Sequence, residues 1–187
     1  GRIAPEYALR LIGETDVEVP VGEVGEITTR PHDPCLMMNG YLNMPEVNAE
    51  LIREGWYRTG DLGRLDPDGN LYFVGRKKDI IRRRGENISA FEVEREVETH
   101  VDVREAAAVG VPSPFTEEDV AVAVVLRPGA VLSAEELRNY CAGRMARYMV
   151  PEHVIFVDRL PKTPSEKVAK AELRRLFAEL HTNLARQ

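Results

Sequence analysis

The sequence predicts an α+β protein: a small β-rich segment, residues 1–75, precedes a compact α+β domain, residues 76–187, built of a hairpin and a small mixed sheet with flanking helices. Three observations carry this reading. Short apolar stretches between Tyr7 and Thr29 are broken at close intervals by Gly13, Gly22 and Gly25, the punctuation of strands joined by tight turns. Two Ser-x-x-Glu pairs, Ser89/Glu92 and Ser133/Glu136, have the spacing at which each side chain caps the other's backbone N–H at a helix start. Two apolar runs, Ala106–Val111 and Val120–Leu126, suit interior strands.

In chain order, Ala8, Leu9, Leu11 and Ile12, then Val17 and Val19, then Val24 and Ile27 mark the first strands. Pro45 opens a short helix over Glu46–Ile52. Asp61–Val74 reads as a hairpin turning at Asp66-Pro67-Asp68-Gly69, where Pro presets φ and Gly accepts a positive one. Ile80, Ile81 and Ile88 form a second hairpin. The helix capped by Ser89 buries Ala90, Val93 and Val97 and turns Glu92, Glu94, Glu96 and Glu98 largely to water. The helix capped by Ser133 buries Leu137, Tyr140, Cys141 and Met145. Val154–Val157 is a short strand, and Leu173, Leu176, Phe177, Leu180 and Leu184 are the stripe of a last helix.

Composition narrows the function. At 187 residues, 43% hydrophobic and 30% charged, the chain suits one ordinary domain or two small ones. Its apolar runs fall far short of the ~20 residues a bilayer crossing needs, and Gly1-Arg2-Ile3 opens no signal pattern. No membrane span is expected. A net charge of −6 and a pI near 5.4 oppose a general nucleic-acid binder. Cys35 and Cys141 stand far apart in unlike contexts, which suggests reduced thiols and a cytoplasmic setting. His32, His100, His153 and His181 lack metal-ligand spacing, so no metal ligand is assigned. The chain opens without Met amid strand-and-turn material, which suggests a piece of a longer protein.

Three segments carry more polar chemistry than their local structure requires. In Tyr57-Arg58-Thr59-Gly60-Asp61-Leu62, the Asp61 carboxylate could accept two hydrogen bonds from a cis-diol such as ribose; a structural Gly-Asp turn is the alternative. Gly75–Asn87 concentrates six basic residues, Arg76, Lys77, Lys78, Arg82, Arg83 and Arg84, as a seat for polyphosphate or coenzyme A, or as a hairpin edge protected by charge. Pro161 and Pro164 stiffen a segment that presents Lys167 on a loop before a helix, where a merely solvated lysine is the ordinary alternative.

Taken together and in order, these segments resemble the adenylate-forming superfamily of acyl-CoA synthetases, peptide-synthetase adenylation domains and luciferases. Tyr57–Leu62 is similar to its YRTGDL segment, Gly75–Glu94 to GRxKDxI...RGENI...E(V/I)E, Tyr148–Pro151 to YMVP, and Pro161–Val168 to PxTxxGK. The resemblance implies an enzyme that uses ATP, with magnesium, to turn a carboxylic acid into an acyl-adenylate and then passes the acyl group to coenzyme A, leaving AMP. It implies that Asp61 holds the ribose hydroxyls, Arg76 assists at ribose and phosphates, and Lys167 is the catalytic lysine. Lys78 becomes the hinge of a mobile small domain, and Gly85 lines the pantetheine tunnel. Residues 1–75 would be the end of a large N-terminal domain, which is the missing partner. Glu166 departs from the Gly that usually precedes the lysine, a feature resembling the carnitine- and crotonobetaine-CoA ligase branch. If that position needs positive φ the loop must adjust, and the carboxylate could draw Lys167 away from substrate.

No phosphate loop and no acid-binding segment occur in the sequence. Two alternatives therefore stand beside the ligase reading: an adenylation domain serving a carrier protein, and a binding or regulatory module that kept the fold without the chemistry.

Overall fold

The computed structural model describes residues 1–184, with side chains to Leu180; His181 and Leu184, the latter closing the expected helical stripe, have side chains outside the described residues. Contacts divide the chain after Lys78 into two units.

The first unit is an antiparallel sheet of β1 (Tyr7–Ile12), β2 (Val24–Pro31), β3 (Ile52–Arg53), β4 (Trp56–Leu65) and β5 (Leu71–Arg76), with the short helix α1 (Pro45–Leu51) between β2 and β3. Strands run in the order β1-β2-β4-β3, and β5 pairs with the far half of β4. Val17 and Val19 do not form the strand expected of them; the stretch after β1 is a turn with one bridge, Ile12 to Glu18. The β4–β5 turn is organised by Asp66, whose carboxylate accepts the N–H groups of Asn70 at 2.8 Å and Asp68 at 3.0 Å. The Asn70 side-chain amide, donating to the other carboxylate oxygen at 2.9 Å, leads these bonds in holding Asp66 below the usual carboxylate range.

An irregularity in β4 builds the site. Glu26 of β2 pairs with Leu62 and Thr28 with Arg58, so three residues of β4, Thr59 to Asp61, stand opposite Ile27 alone. The surplus bulges outward, as extra residues in a ladder must, and re-aims Asp61. Gly60 takes the turn at φ +71°, a conformation that costs glycine little.

The second unit contains the hairpin β6 (Ile80–Arg83) and β7 (Glu86–Ser89), helix α2 (Ala90–Glu98), strands β8 (Val103–Pro112) and β9 (Glu118–Leu126), helix α3 (Ala134–Ala142), strand β10 (His153–Phe156) and helix α4 (Lys170–Leu184). The three-stranded sheet is mixed: β9 runs antiparallel to β8 and parallel to β10. Both faces are covered, which explains why β8 and β9 read as continuous apolar runs. Val120, Val122 and Val124 of β9 pack with Val93, Val97, Leu137 and the hairpin's Ile81 and Ile88. The alternate residues Ala121, Ala123 and Val125 pack with Leu173 and Phe177 of α4. Small alanines on that side let the helix approach closely. Ser133 and Glu136 form the full reciprocal capping box, and Ser89 accepts the Glu92 N–H at 3.4 Å.

The acidic face of α2 departs from its expected exposure. Glu94 is mostly buried, because its carboxylate accepts the Ala108 N–H of β8 at 2.9 Å and pairs with Lys170. Among the described residues no helix is long and apolar enough to cross a membrane.

Candidate functional site

In the first unit the register of β4 and β5 sets Asp61 directly opposite Arg76. Arg76 Nε lies 3.0 Å from Asp61 Oδ1, and that buried oxygen makes no aligned hydrogen bond, so an acceptor is left over within the protein's own bonding. The turn before it is pinned. Thr59 donates its hydroxyl to the Ile27 carbonyl at 2.7 Å, and the same hydroxyl oxygen accepts the Asp61 N–H at 3.1 Å. A cleft of about 390 Å³ beside this turn is lined by Thr59, Gly60, Arg76, Lys77 and Lys78. Three cations around a glycine turn can hold phosphate oxygens, and the carboxylate next to them can hold a diol. Burial first, then Tyr41 and the Asp61 charge, push the Tyr57 hydroxyl up, so it stays a neutral donor.

Glu26 organises this region, and the sequence reading passed over it. It is a buried acid on a sheet strand, and it accepts from Lys77 Nζ at 3.0 Å, Arg58 at 3.2 Å and the Gly60 N–H at 3.3 Å. Arg58 also pairs with Asp16. The signal available was a carboxylate between apolar neighbours, Val24-Gly25-Glu26-Ile27, since an acid on a strand's inner face needs partners.

Lys167 stands on a tight hairpin in the second unit. Thr163 donates its N–H to the Lys167 carbonyl at 2.7 Å, and Glu166 donates to the Thr163 carbonyl at 2.9 Å. The loop residues are thus Pro164, Ser165 and Glu166, with Pro at the first turn position and a left-handed residue at the end. Glu166 adopts φ +61°, the conformation in which glycine is at ease. The loop has not adjusted to the missing glycine; Glu166 carries the strained conformation itself. Its side chain lines a cleft of about 870 Å³ with Arg104, Arg159, Lys162 and Arg175, and Lys167 is not among the lining residues. No ion pair joins Glu166 to Lys167, whose exposed ammonium has no partner among the described residues.

The basic run 76–84 does not act as one patch. Arg83 is buried, at 5% side-chain exposure, and donates to the carbonyls of Tyr148 at 3.2 Å and Val150 at 3.0 Å and to Glu152 at 2.8 Å, with Asp119 at 3.2 Å from its Nε. It is the internal clamp of the Tyr148–Pro151 segment and is not available to a phosphate guest, which corrects the reading of the run as a single anion seat. Arg84 and Gly85, at φ +55° and +79°, form the two-residue turn of the hairpin. The Arg82 N–H donates to Glu118 and the Arg84 N–H to Glu117. A Cβ on Gly85 would meet nothing within 4 Å among the described residues.

Residues 92–167 match the family of AMP-binding enzyme C-terminal domains. The chain is 39% identical to the indoleacetate–CoA ligase of Aromatoleum aromaticum over 178 residues, 95% of this chain and 34% of the ligase. Among solved structures it is similar to the amide bond synthetase McbA of Marinactinospora thermotolerans, with a TM-score of 0.87 and 37% identity over 95% of this chain and 36% of that one. It is equally similar to ATP-bound MatB of Rhodopseudomonas palustris, with a TM-score of 0.87 and 32% identity over 96% of this chain and 36% of that one. The chain thus spans about a third of the length of the proteins it matches. On its motifs, its fold and these likenesses, the chain is similar to the adenylate-forming superfamily of AMP-binding enzymes, and its residues 92–167 match the C-terminal domain family of those enzymes.

Proposed function

We propose that this chain is the C-terminal part of an ATP-dependent acyl-CoA ligase of the cytoplasm, with the end of the large N-terminal domain in residues 1–75 and the mobile small domain in residues 76–187. The observation that carries this reading is the contrast between a pinned cleft lined by cations beside the Asp61 carboxylate and a Lys167 ammonium that has no partner among the described residues. Asp61 would accept the ribose hydroxyls of ATP and of the adenylate, and Arg76 would face ribose and phosphate. The carboxylate oxygen of the acid attacks the α-phosphorus, pyrophosphate leaves, and Lys167 stabilises the charge gathering on the α-phosphate oxygens. Coenzyme A then attacks the acyl carbon through sulfur and AMP leaves. Lys78, exposed at the junction of the two units, is the hinge in this reading, and Gly85 lines the passage for pantetheine.

Magnesium would accompany ATP, held chiefly by its phosphate oxygens; no residue of this chain is assigned to it. The test is made on the longer enzyme containing this chain: AMP release with ATP, coenzyme A and a panel of short, fatty, aromatic and carnitine-like acids, beside pyrophosphate exchange. AMP release that requires coenzyme A and one acid class is the expected result. Exchange without transfer to coenzyme A would favour another acceptor, a carrier protein or an amine, the latter suggested by the likeness to an amide bond synthetase. Neither reaction with any acid would overturn the catalytic reading.

A further inference from the structure

The basic side chain that follows Lys167 three residues later has a different fate. Lys170 opens α4, and its ammonium is drawn inward, with 17% of the side chain exposed. Its Nζ lies 2.8 Å from Glu94 Oε1 on α2 and 3.7 Å from Asp79 Oδ2. Glu94 Oε1 is also the acceptor of the Ala108 N–H on β8. One ammonium thus ties the root of the Lys167 loop to a helix, a strand and the first residue of the second unit, next to Lys78. The same root is closed from below by the backbone: Ala169 donates to the Pro161 carbonyl at 2.8 Å and Lys170 to the Val168 carbonyl at 3.1 Å.

We infer that Lys170 is a positioning residue for the adenylation step: with Asp79 and Glu94 it makes the Lys167 loop, α2 and the segment after Lys78 move as one body. This rests on the functional reading of Lys167 and Lys78 given above. The physical need is one of reach. Lys167 acts through a flexible side chain at the closing end of a loop, and a displacement of about 1 Å from the productive geometry can cost about a hundredfold in rate. Hydrogen bonds within the loop fix its shape, but they do not fix where that shape points relative to the hinge segment. Among the described residues, the ion pair of Lys170 with Asp79 supplies that bearing, and Glu94 anchors it to the sheet.

An ordinary structural ion pair would look the same in a static view, so the test separates the half-reactions. In the full-length ligase, Lys170→Met should lower adenylation, read by pyrophosphate exchange, about tenfold or more with KM for ATP unchanged. In the proposed reading Lys167 serves adenylation alone, so acyl transfer from a supplied acyl-adenylate to coenzyme A should stay within about twofold. Lys170→Arg, which keeps the charge, should restore most of the exchange rate. Wild-type exchange in Lys170→Met overturns the inference; so does a parallel fall of both half-reactions, which would mark a purely structural role. Should Lys170→Met fail to fold, Asp79→Asn decides, because it leaves the Lys170–Glu94 pair intact. Reduced exchange with intact transfer supports the inference, and unchanged exchange overturns it. Lys167→Ala, run alongside, distinguishes the two levels: if it leaves exchange intact, the functional reading itself falls and this inference with it.

Discussion

Around Asp61 the charges of Arg76, Lys77 and Arg58 are answered within the protein, whereas on the loop carrying Lys167 the charge is left open. Arg76 faces Asp61, and Lys77 and Arg58 converge on the buried Glu26. Lys167 has a hydrogen-bonded backbone turn beneath it and, among the described residues, no counterion. A group that recognises a ground-state ligand benefits from neighbours that hold it still before the ligand arrives. A group that must stabilise charge appearing only in the transition state gains nothing from a resident carboxylate, which it would have to leave first. The two regions therefore predict different symptoms when cut: stability in one case, rate in the other.

The largest effect of cutting a paired charge is expected in the second unit itself, at Arg83→Met. Removing a guanidinium that is 5% exposed leaves Asp119 buried beside it and two carbonyls without a donor, and should cost about 3–5 kcal/mol in urea unfolding. A loss under ~1 kcal/mol would show that the clamp is incidental and would return Arg83 to the pool of candidate phosphate ligands. Lys167→Ala is the reciprocal case. Adenylation should fall about a hundredfold, equivalent to about 2.7 kcal/mol of barrier, while the melting temperature stays within about 2 °C, because an exposed, unpaired side chain contributes little to stability. A melting shift larger than its rate effect would erase the contrast drawn above.

Glu26→Ala should fall between these. The buried carboxylate serves Arg58, Lys77 and the Gly60 N–H, so its loss should cost about 2 kcal/mol and, by loosening the turn before Asp61, raise KM for ATP several-fold. A stability loss with unchanged KM would separate the acid from the cleft.

The elements were legible where one physical rule governs them. Continuous apolar runs, apolar because both sheet faces are covered, marked β8 and β9, and the Ser133/Glu136 spacing marked α3. What escaped were choices made by tertiary neighbours. Glu94 and Lys170 each look like solvated surface charges in sequence, and only the approach of α2 to the start of α4 turns them inward. Arg83 sits between two other arginines with nothing local to distinguish it; the alternation of β6 points it into the fold, while Arg82 is exposed. Glu26 was hidden because its partners come from β4 and from Lys77, just past β5.

The smallest expected effect tests the open side most finely. Glu166 holds φ +61°, at a cost of about 1 kcal/mol for a residue with a Cβ. Glu166→Gly removes that strain but adds freedom to the unfolded chain, so the net gain should be about 0.5 kcal/mol, or roughly 1–2 °C in melting temperature for a chain of this size. Glu166→Ala keeps the strain and deletes only the carboxylate, so it should bring no such gain. If alanine stabilises as much as glycine, the cost lies in placing a carboxylate at the cleft and not in the backbone. The same pair of variants bears on the unpaired ammonium of Lys167. Because no ion pair joins it to Glu166, neither substitution should raise the adenylation rate by more than about twofold. A larger rise in both would mean that the carboxylate restrains Lys167 during turnover, and the loop would then join the paired side of the comparison.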